Sequence, residues 1–257
     1  MGALSDDQVE QFIEDGFVRL EAAFDRALIQ PCLAVLERSL LDEGVDVHDE
    51  RTWRPVVRLL HFEEPPFFAA TNSGRLQAAW DQLVGVNRWY PRPGIGTFPI
   101  RFPSHEDPGD TGWHIDNSYQ VDGEWRVNIH SRNRALLMLF LFSDVGEADA
   151  PTRIRVGSHL DVPAALAEFG EAGTNPESVI PALLPRLENR PLALATGEAG
   201  DVYLCHPFLV HAAGWPHRGT QPRYIAQPPL ALREPLDLDA NPVTPLERSI
   251  ALALIDS

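Results

Sequence analysis

The chain has 257 residues, and its composition of 44% hydrophobic and 23% charged residues is that of an ordinary globular protein. The 37 acidic residues outnumber the 21 basic ones, and the formal net charge of −16 excludes a general affinity for nucleic acid. Every basic residue is arginine, and without lysine the chain excludes Schiff-base catalysis, a pyridoxal phosphate anchor and a phosphate-loop lysine. The densest basic stretch is interpreted as a solvated turn: Arg126, His130, Arg132 and Arg134.

The sequence predicts a cytoplasmic protein with no membrane association. No uninterrupted apolar stretch approaches the roughly 20 residues that a membrane span needs. The N-terminus lacks the basic region and the apolar core of a secretion signal. Cys32 and Cys205 are far apart and lack Cys-x-x-Cys spacing, so we expect neither a disulfide framework nor a thiolate zinc site.

Residues 1–90 are predicted to be mostly helical. Ser5 followed by Gln8 has the pattern of a capping box at the start of a helix, and Gly16 is placed to end that helix. The further elements predicted from apolar spacing are a short strand at 17–20 and helices at 25–41 and 74–84.

After residue 90 the apolar runs become short and β-prone, separated by Pro, Gly, Asp and Asn. The predicted strands lie at 135–142, 152–156, 192–195, 202–210 and 223–227. Residues 161–189 are predicted to be a helical insertion, and residues 231–257 a tail that contains a short amphipathic helix. The chain is therefore predicted to be a single domain over 1–257, with a mainly β core over 91–230 and flanking helices.

The sequence contains three His-x-Asp pairs: His105/Asp107, His114/Asp116 and His159/Asp161. On a strand, alternate residues share one face, so this spacing can direct an imidazole and a carboxylate at the same point. The first pair lies among turn residues and the third follows a Gly-Ser at the end of a strand. We therefore favour the pair at His114 and Asp116, where Trp113 and Ile115 would point to the opposite face.

A second histidine on a neighbouring strand would complete the two-His-one-carboxylate arrangement of non-haem Fe(II) oxygenases. His211 ends an apolar run and is preferred over His206, which precedes a proline, and over His217, which lies in a turn-like segment.

The last predicted strand begins with an arginine, a residue that could bind a carboxylate. Arg223 offers the planar pair of donors that suits the distal carboxylate of 2-oxoglutarate.

Five segments, which together extend over most of the chain, carry a resemblance to a known family: DGFVRL, GWHIDNSY, APTRIRVGSHL, GEAGDVYLCHPFLVHAAG and HRGTQPRYIAQPPL. In this order they resemble the phytanoyl-CoA dioxygenase family of Fe(II)- and 2-oxoglutarate-dependent oxygenases. The resemblance implies a double-stranded β-helix, or jelly-roll, core. It also implies that His114, Asp116 and His211 bind Fe(II), that Arg223 anchors 2-oxoglutarate, and that O₂ is the second cosubstrate.

Three departures from the family pattern bear on these roles. The interval between His211 and Arg223 is one residue longer than usual, which leaves Arg218 as a competing anchor. Ala213 stands where many members have a hydroxyl group that helps to hold the cosubstrate. Asp116 is the carboxylate that halogenating relatives lack, which argues against halogenation.

We expect oxidation of a C–H bond in a small organic substrate, by hydroxylation in the first instance and in the setting of natural-product biosynthesis. Ring closure, epimerisation and desaturation remain open, as do a monomeric and a homodimeric state. Phe98, Tyr119 and Trp215 are candidate substrate contacts, each with ordinary packing as the alternative. Two other classes of function remain open: a non-catalytic jelly-roll protein with a structural metal, and a metal-dependent hydrolase with His105 or His217 as its base.

Overall fold

The computed structural model describes residues 2–238 and 244–255. The α-helices are Asp6–Asp15 (α1), Ile29–Asp42 (α2), Pro65–Thr71 (α3), Gly74–Val84 (α4), Val162–Ala167 (α5), Pro176–Leu187 (α6) and Pro245–Ile255 (α7). The strands are Phe17–Leu20 (β1), Val56–Leu59 (β2), Phe98–Arg101 (β3), Tyr119–Val121 (β4), Glu124–Arg126 (β5), Leu136–Leu141 (β6), Arg153–Arg155 (β7), Leu192–Leu194 (β8), Val202–Cys205 (β9), His211–Ala212 (β10), Ile225–Ala226 (β11) and Pro229–Leu230 (β12). No helix within these residues is long and apolar enough to cross a membrane.

Two antiparallel sheets form the centre of the molecule. The larger has the strand order β1-β9-β6-β11, with β12 also paired to β6, and the smaller has the order β10-β7-β8. Every residue of β6 is buried because its two faces are both covered. Met138 and Phe140 pack with the helices, whereas Leu139 and Leu141 pack towards Ile154 of the smaller sheet. The arrangement is the predicted jelly-roll core with flanking helices.

The first helix begins and ends where the sequence predicts. The Ser5 side chain accepts a hydrogen bond from the Gln8 amide, and the Gln8 side chain accepts one from the Ser5 amide. Gly16 ends α1 in the left-handed conformation with φ of 84°. The helix α4 also matches its predicted range.

Other predicted elements differ in their bounds. The helix expected at 25–41 begins as a 3₁₀ turn, Arg26–Leu28, capped by Asp25. The single strand expected at 202–210 is wrong beyond Cys205. There the chain turns, with the Leu209 amide donating to the His206 carbonyl at 3.0 Å, before β10 begins at His211. A proline at position 207 cannot donate to a ladder, which explains the break.

A buried histidine pair, His159 and His206, connects α1 to this turn. The two rings have a centroid separation of 4.8 Å, and both residues are almost fully buried. His159 Nε2 lies 3.0 Å from the Ile13 carbonyl of α1, which can only accept, so this nitrogen carries the proton. His206 Nδ1 accepts from the Phe208 amide at 3.1 Å. Hydrogen bonds of the pair therefore hold both α1, through Ile13, and the segment that leads into β10, through Phe208.

Candidate active site

His114 and His211 are joined directly through their backbones. The amide of each donates to the carbonyl of the other, both at 3.0 Å, in an isolated antiparallel bridge. His211 begins β10, and its ring centroid lies 4.3 Å from that of His114. Two residues almost a hundred positions apart in the sequence are thus held side by side by main-chain hydrogen bonds.

In both histidines, a hydrogen bond between the ring and the carbonyl two residues earlier in the chain fixes the orientation of the ring. His114 Nδ1 lies 2.9 Å from the Gly112 carbonyl, and His211 Nδ1 lies 3.0 Å from the Leu209 carbonyl. Carbonyl oxygens only accept, so each Nδ1 must carry a proton, and in the neutral imidazole Nε2 then presents a lone pair. A histidine oriented in this way by its other ring nitrogen is the usual state of a metal ligand.

Asp116 adds a carboxylate to the two imidazoles. Its Oδ1 lies 3.8 Å from His211 Nε2, and one ligand atom from each of His114, Asp116 and His211 lies within 4.8 Å of the others. Ile115, between the first two, is buried, as the alternation predicts. We refer to these three residues as the His–Asp–His cluster.

The protonation states of the cluster suit metal binding. Burial alone would raise the pKa of Asp116, but the positive charge of Arg134, together with the two imidazoles, outweighs it and lowers that pKa. Burial, reinforced by the neighbouring His114, lowers the pKa of His211 to about 4. An ionised carboxylate and a neutral imidazole are the forms that bind a metal ion. Two nitrogens and one oxygen are the donor set of a non-haem Fe(II) centre, so the residues present fit this ion.

The two competing His-x-Asp pairs are not arranged in this way. His105 and Asp107 lie in an exposed turn, in which Asp107 caps the Gly109 amide at 2.9 Å. Asp161 instead makes a two-pronged ion pair with Arg190, at 2.9 and 3.0 Å, while His159 belongs to the buried histidine pair. Within the part of the chain that the structure describes, only the His–Asp–His cluster gathers three such groups.

Arg223 is buried in the core beside β3. Its backbone exchanges hydrogen bonds with Arg101, at 2.8 and 3.2 Å, and its guanidinium donates to the carbonyls of Ala150 and Pro99. Burial, followed by the charge of Arg101, lowers the pKa of Arg223 to about 9. The guanidinium remains cationic at neutral pH and makes its hydrogen bonds to carbonyls, with no carboxylate among those partners. The competing residue Arg218 is exposed.

The three candidate substrate contacts occupy different environments. Phe98 is fully buried among aromatic rings, with centroids 5.3 Å from Phe142 and 5.7 Å from Phe62. The hydroxyl of Tyr119, also buried, donates to the Ala172 carbonyl at 2.9 Å. Trp215 is 42% exposed, so of the three it alone has an exposed ring face to offer to a ligand.

Two arginines near the cluster are absent from the predicted site. Arg134 Nη1 donates to Asp116 Oδ2 at 2.5 Å, although the sequence suggests only a solvated turn there. Arg153 donates to the Thr111 carbonyl at 2.6 Å and to the Ala213 carbonyl at 3.2 Å, and it lies over the Trp113 ring. Both act across distant segments, so no spacing pattern in the sequence could have revealed them.

Known proteins resemble the chain over most of its length. An ectoine dioxygenase from Bordetella parapertussis is 25% identical over 238 residues, which cover 83% of this chain and 73% of that protein. The crystal structure of EctD from S. alaskensis with bound Fe matches with a TM-score of 0.58 at 20% identity, covering 90% of this chain and 77% of that one. The α-ketoglutarate-dependent carbocyclase SnoK from nogalamycin biosynthesis matches with a TM-score of 0.55 at 17% identity, covering 90% and 86%. These structural likenesses support the jelly-roll assignment.

A family model described as phytanoyl-CoA dioxygenase (PhyH) matches residues 12–225. The matched range contains the smaller sheet, strands β1, β6 and β9 of the larger sheet and the His–Asp–His cluster. Membership of an oxygenase family decides against the two alternative classes, a non-catalytic metal-binding protein and a hydrolase. The chain therefore belongs to the phytanoyl-CoA dioxygenase family and is a non-haem dioxygenase that depends on Fe(II), 2-oxoglutarate and O₂.

Proposed function

We propose that His114, Asp116 and His211 bind the catalytic Fe(II). The observation that carries this proposal is the convergence of one ligand atom from each of these three residues within 4.8 Å, with the carboxylate ionised. Backbone hydrogen bonds hold both imidazoles, so the ligand set is ordered before the metal arrives. Three protein ligands leave coordination positions for the cosubstrates.

Arg223 is the proposed anchor for the distal carboxylate of 2-oxoglutarate. A buried guanidinium whose hydrogen bonds go to carbonyls rather than to a carboxylate gains strongly from an incoming anion, because both charges interact at low dielectric. Arg101, its neighbour across the bridge, already donates to Asp110 at 2.5 Å, so its charge is compensated. Ala213 supplies no hydroxyl group, which leaves the guanidinium with the larger share of the binding.

The bound iron, with 2-oxoglutarate and O₂, supplies the oxidation of a C–H bond. The protein's own residues determine where that chemistry occurs. Arg223 and the cluster fix the cosubstrate at two points, and the apolar sheets behind the cluster exclude bulk water. The position of the substrate decides which bond is oxidised and what becomes of it.

The proposed reaction is hydroxylation of a small organic molecule, in the setting of natural-product biosynthesis. The ectoine dioxygenase relative supports oxygen insertion, and the likeness to SnoK keeps carbocyclisation as the second candidate. Incubation with ectoine, and separately with polycyclic natural products, should give a product carrying one added oxygen atom, detected by mass spectrometry. A product that has lost two hydrogens instead would replace hydroxylation by ring closure or desaturation.

A titration that needs no substrate tests the cosubstrate site. Metal-free protein is loaded with Fe(II) without oxygen and titrated with 2-oxoglutarate, while the visible charge-transfer band is recorded. We expect a saturable band that is weakened or lost in Arg223→Ala and unchanged in Arg218→Ala, since Arg218 is exposed. An Arg223→Ala titration identical to that of the wild type would exclude Arg223 as the anchor. A wild type that binds iron and shows no band would overturn the cosubstrate assignment.

A further inference from the structure

The two oxygens of the Asp116 carboxylate have different surroundings. Oδ1 lies towards the cluster, 3.8 Å from His211 Nε2, whereas Oδ2 accepts a hydrogen bond from Arg134 Nη1 at 2.5 Å. The side chains of Arg134 and Asp116 are 13% and 23% exposed, so this ion pair is largely shielded from solvent. A charge-assisted hydrogen bond in such surroundings restrains the carboxylate strongly.

The backbone immediately before Arg134 forms a tight turn that holds this residue in place. Ser131 and Asn133 both have positive φ, of 43° and 66°. Asparagine tolerates this region, whereas serine is strained in it. The Arg134 amide donates to the Ser131 carbonyl at 3.0 Å, and the Ser131 hydroxyl donates to the Arg134 carbonyl at 2.7 Å. This tight turn leads directly into β6, the buried central strand. Strain retained next to a functional group indicates a positional requirement.

The nearby arginines Arg92 and Arg132 make no hydrogen bond to Asp116 in the part of the chain that the structure describes. Arg92 donates to the carbonyls of Gly94 and Pro229. Arg132, in the same turn as Arg134, is exposed and lies over the Tyr119 ring at 4.9 Å from its centroid. Arg134 alone among these three bonds to the carboxylate of the cluster.

We propose that Arg134 is a positioning residue that holds Asp116 Oδ2 away from the metal. Asp116 would then hold the ion through Oδ1 alone, and Arg134 would keep Oδ2 from competing with the cosubstrate. This inference rests on the proposed role of the cluster as the iron site. It assigns a function to a residue that neither touches the reacting atoms nor belongs to the ligand set.

The test compares Arg134→Gln, Arg134→Lys and the matched control Arg132→Gln. Fe(II) affinity is measured by competition with a chelator, the charge-transfer band is recorded with saturating 2-oxoglutarate, and circular dichroism monitors folding. We expect Fe(II) binding about 10- to 100-fold weaker in Arg134→Gln, together with a shifted band. Arg134→Lys should recover part of the affinity, and Arg132→Gln should match the wild type.

Wild-type affinity and an unshifted band in Arg134→Gln would overturn the proposal, as would an effect confined to the KM for a substrate. If Arg134→Gln does not fold, Arg134→Lys decides: its band must shift if the hydrogen bond from the guanidinium Nη1 to Oδ2 positions the carboxylate. Failure of the proposed function is distinguishable, because the wild type itself would then bind no Fe(II) or give no band.

Discussion

His159 and His206 face each other beneath the first helix with 4.8 Å between ring centroids and complementary protonation. His159 Nε2 donates to the Ile13 carbonyl, which leaves Nδ1 as an acceptor, and His206 Nδ1 accepts from the Phe208 amide, which leaves Nε2 as a donor. Among the residues that the structure describes, His159 Nδ1 and His206 Nε2 have no hydrogen-bond partner, and burial lowers the pKa of both histidines. Both rings are therefore neutral at neutral pH, and an additional proton would be buried without a hydrogen-bond acceptor.

This arrangement predicts acid-sensitive folding. Burial lowers the pKa of His159 to about 4, below the ordinary value of 6.5, so the unfolded chain binds the proton first. The contribution of His159 to stability is complete above pH 6.5 and is lost as the pH falls from 6.5 towards 4. It amounts to about 2 kcal/mol between pH 7.5 and 5.

Guanidinium unfolding of metal-free wild type and His159→Gln at both pH values measures that contribution. The wild type should lose more of its free energy of unfolding than the variant between pH 7.5 and 5. An equal loss in both proteins would show that this histidine is not responsible.

A second prediction concerns the glycine that lies against the same pair. A Cβ added to Gly16 would lie 2.4 Å from His159 Nδ1, and the residue has φ of 84°. Gly44 has a similar φ of 77° but open space around the added atom. Gly16→Ala should lower the free energy of unfolding by about 2–4 kcal/mol, and Gly44→Ala by about 1 kcal/mol. Equal losses in urea unfolding would mean that backbone conformation, not the contact with His159, sets the cost.

A third prediction concerns Arg153, whose guanidinium connects the two segments that carry the proposed histidine ligands. Arg153 bonds the carbonyls of Thr111 and Ala213, whereas Arg155 lies over the same Trp113 ring but donates to the Arg190 carbonyl. Arg153→Gln should weaken Fe(II) binding by about 10-fold, because the hydrogen bonds from one side chain to both segments are lost. The chelator competition assay used for Arg134 measures this change. Arg155→Gln is the control, and a comparable weakening there would assign the effect to the stacked tryptophan.

The fourth prediction tests the proposed iron ligands. His114→Ala and Asp116→Ala should each abolish the conversion of 2-oxoglutarate to succinate, because the metal loses a ligand. His105→Ala removes the exposed histidine of another His-x-Asp pair and should leave succinate formation unchanged. Full activity in either cluster variant would refute the assignment.

Features set by neighbouring residues were predictable from the sequence. The capping box at Ser5, the helix end at Gly16 and the buried strand β6 all depend on local spacing, and all three are confirmed. The predicted strand across His206 is wrong, because hydrophobicity alone does not register the turn that precedes β10. The contact between Arg134 and Asp116 was missed for a different reason. The hydrogen bond joins two loops, which lie close together only once the sheets have folded. No local spacing pattern in the sequence reports such a contact.

The backbone bridge between His114 and His211 has a consequence for how the protein assembles. Joining these residues closes a loop of almost a hundred amino acids, so the ligand pair does not exist until the chain has folded around it. An ion bound by the proposed ligands would link the two ends of that loop, and its binding free energy would add to the stability of the folded protein. Metal binding would therefore raise the free energy of unfolding of a protein whose ligand residues the backbone already holds in place.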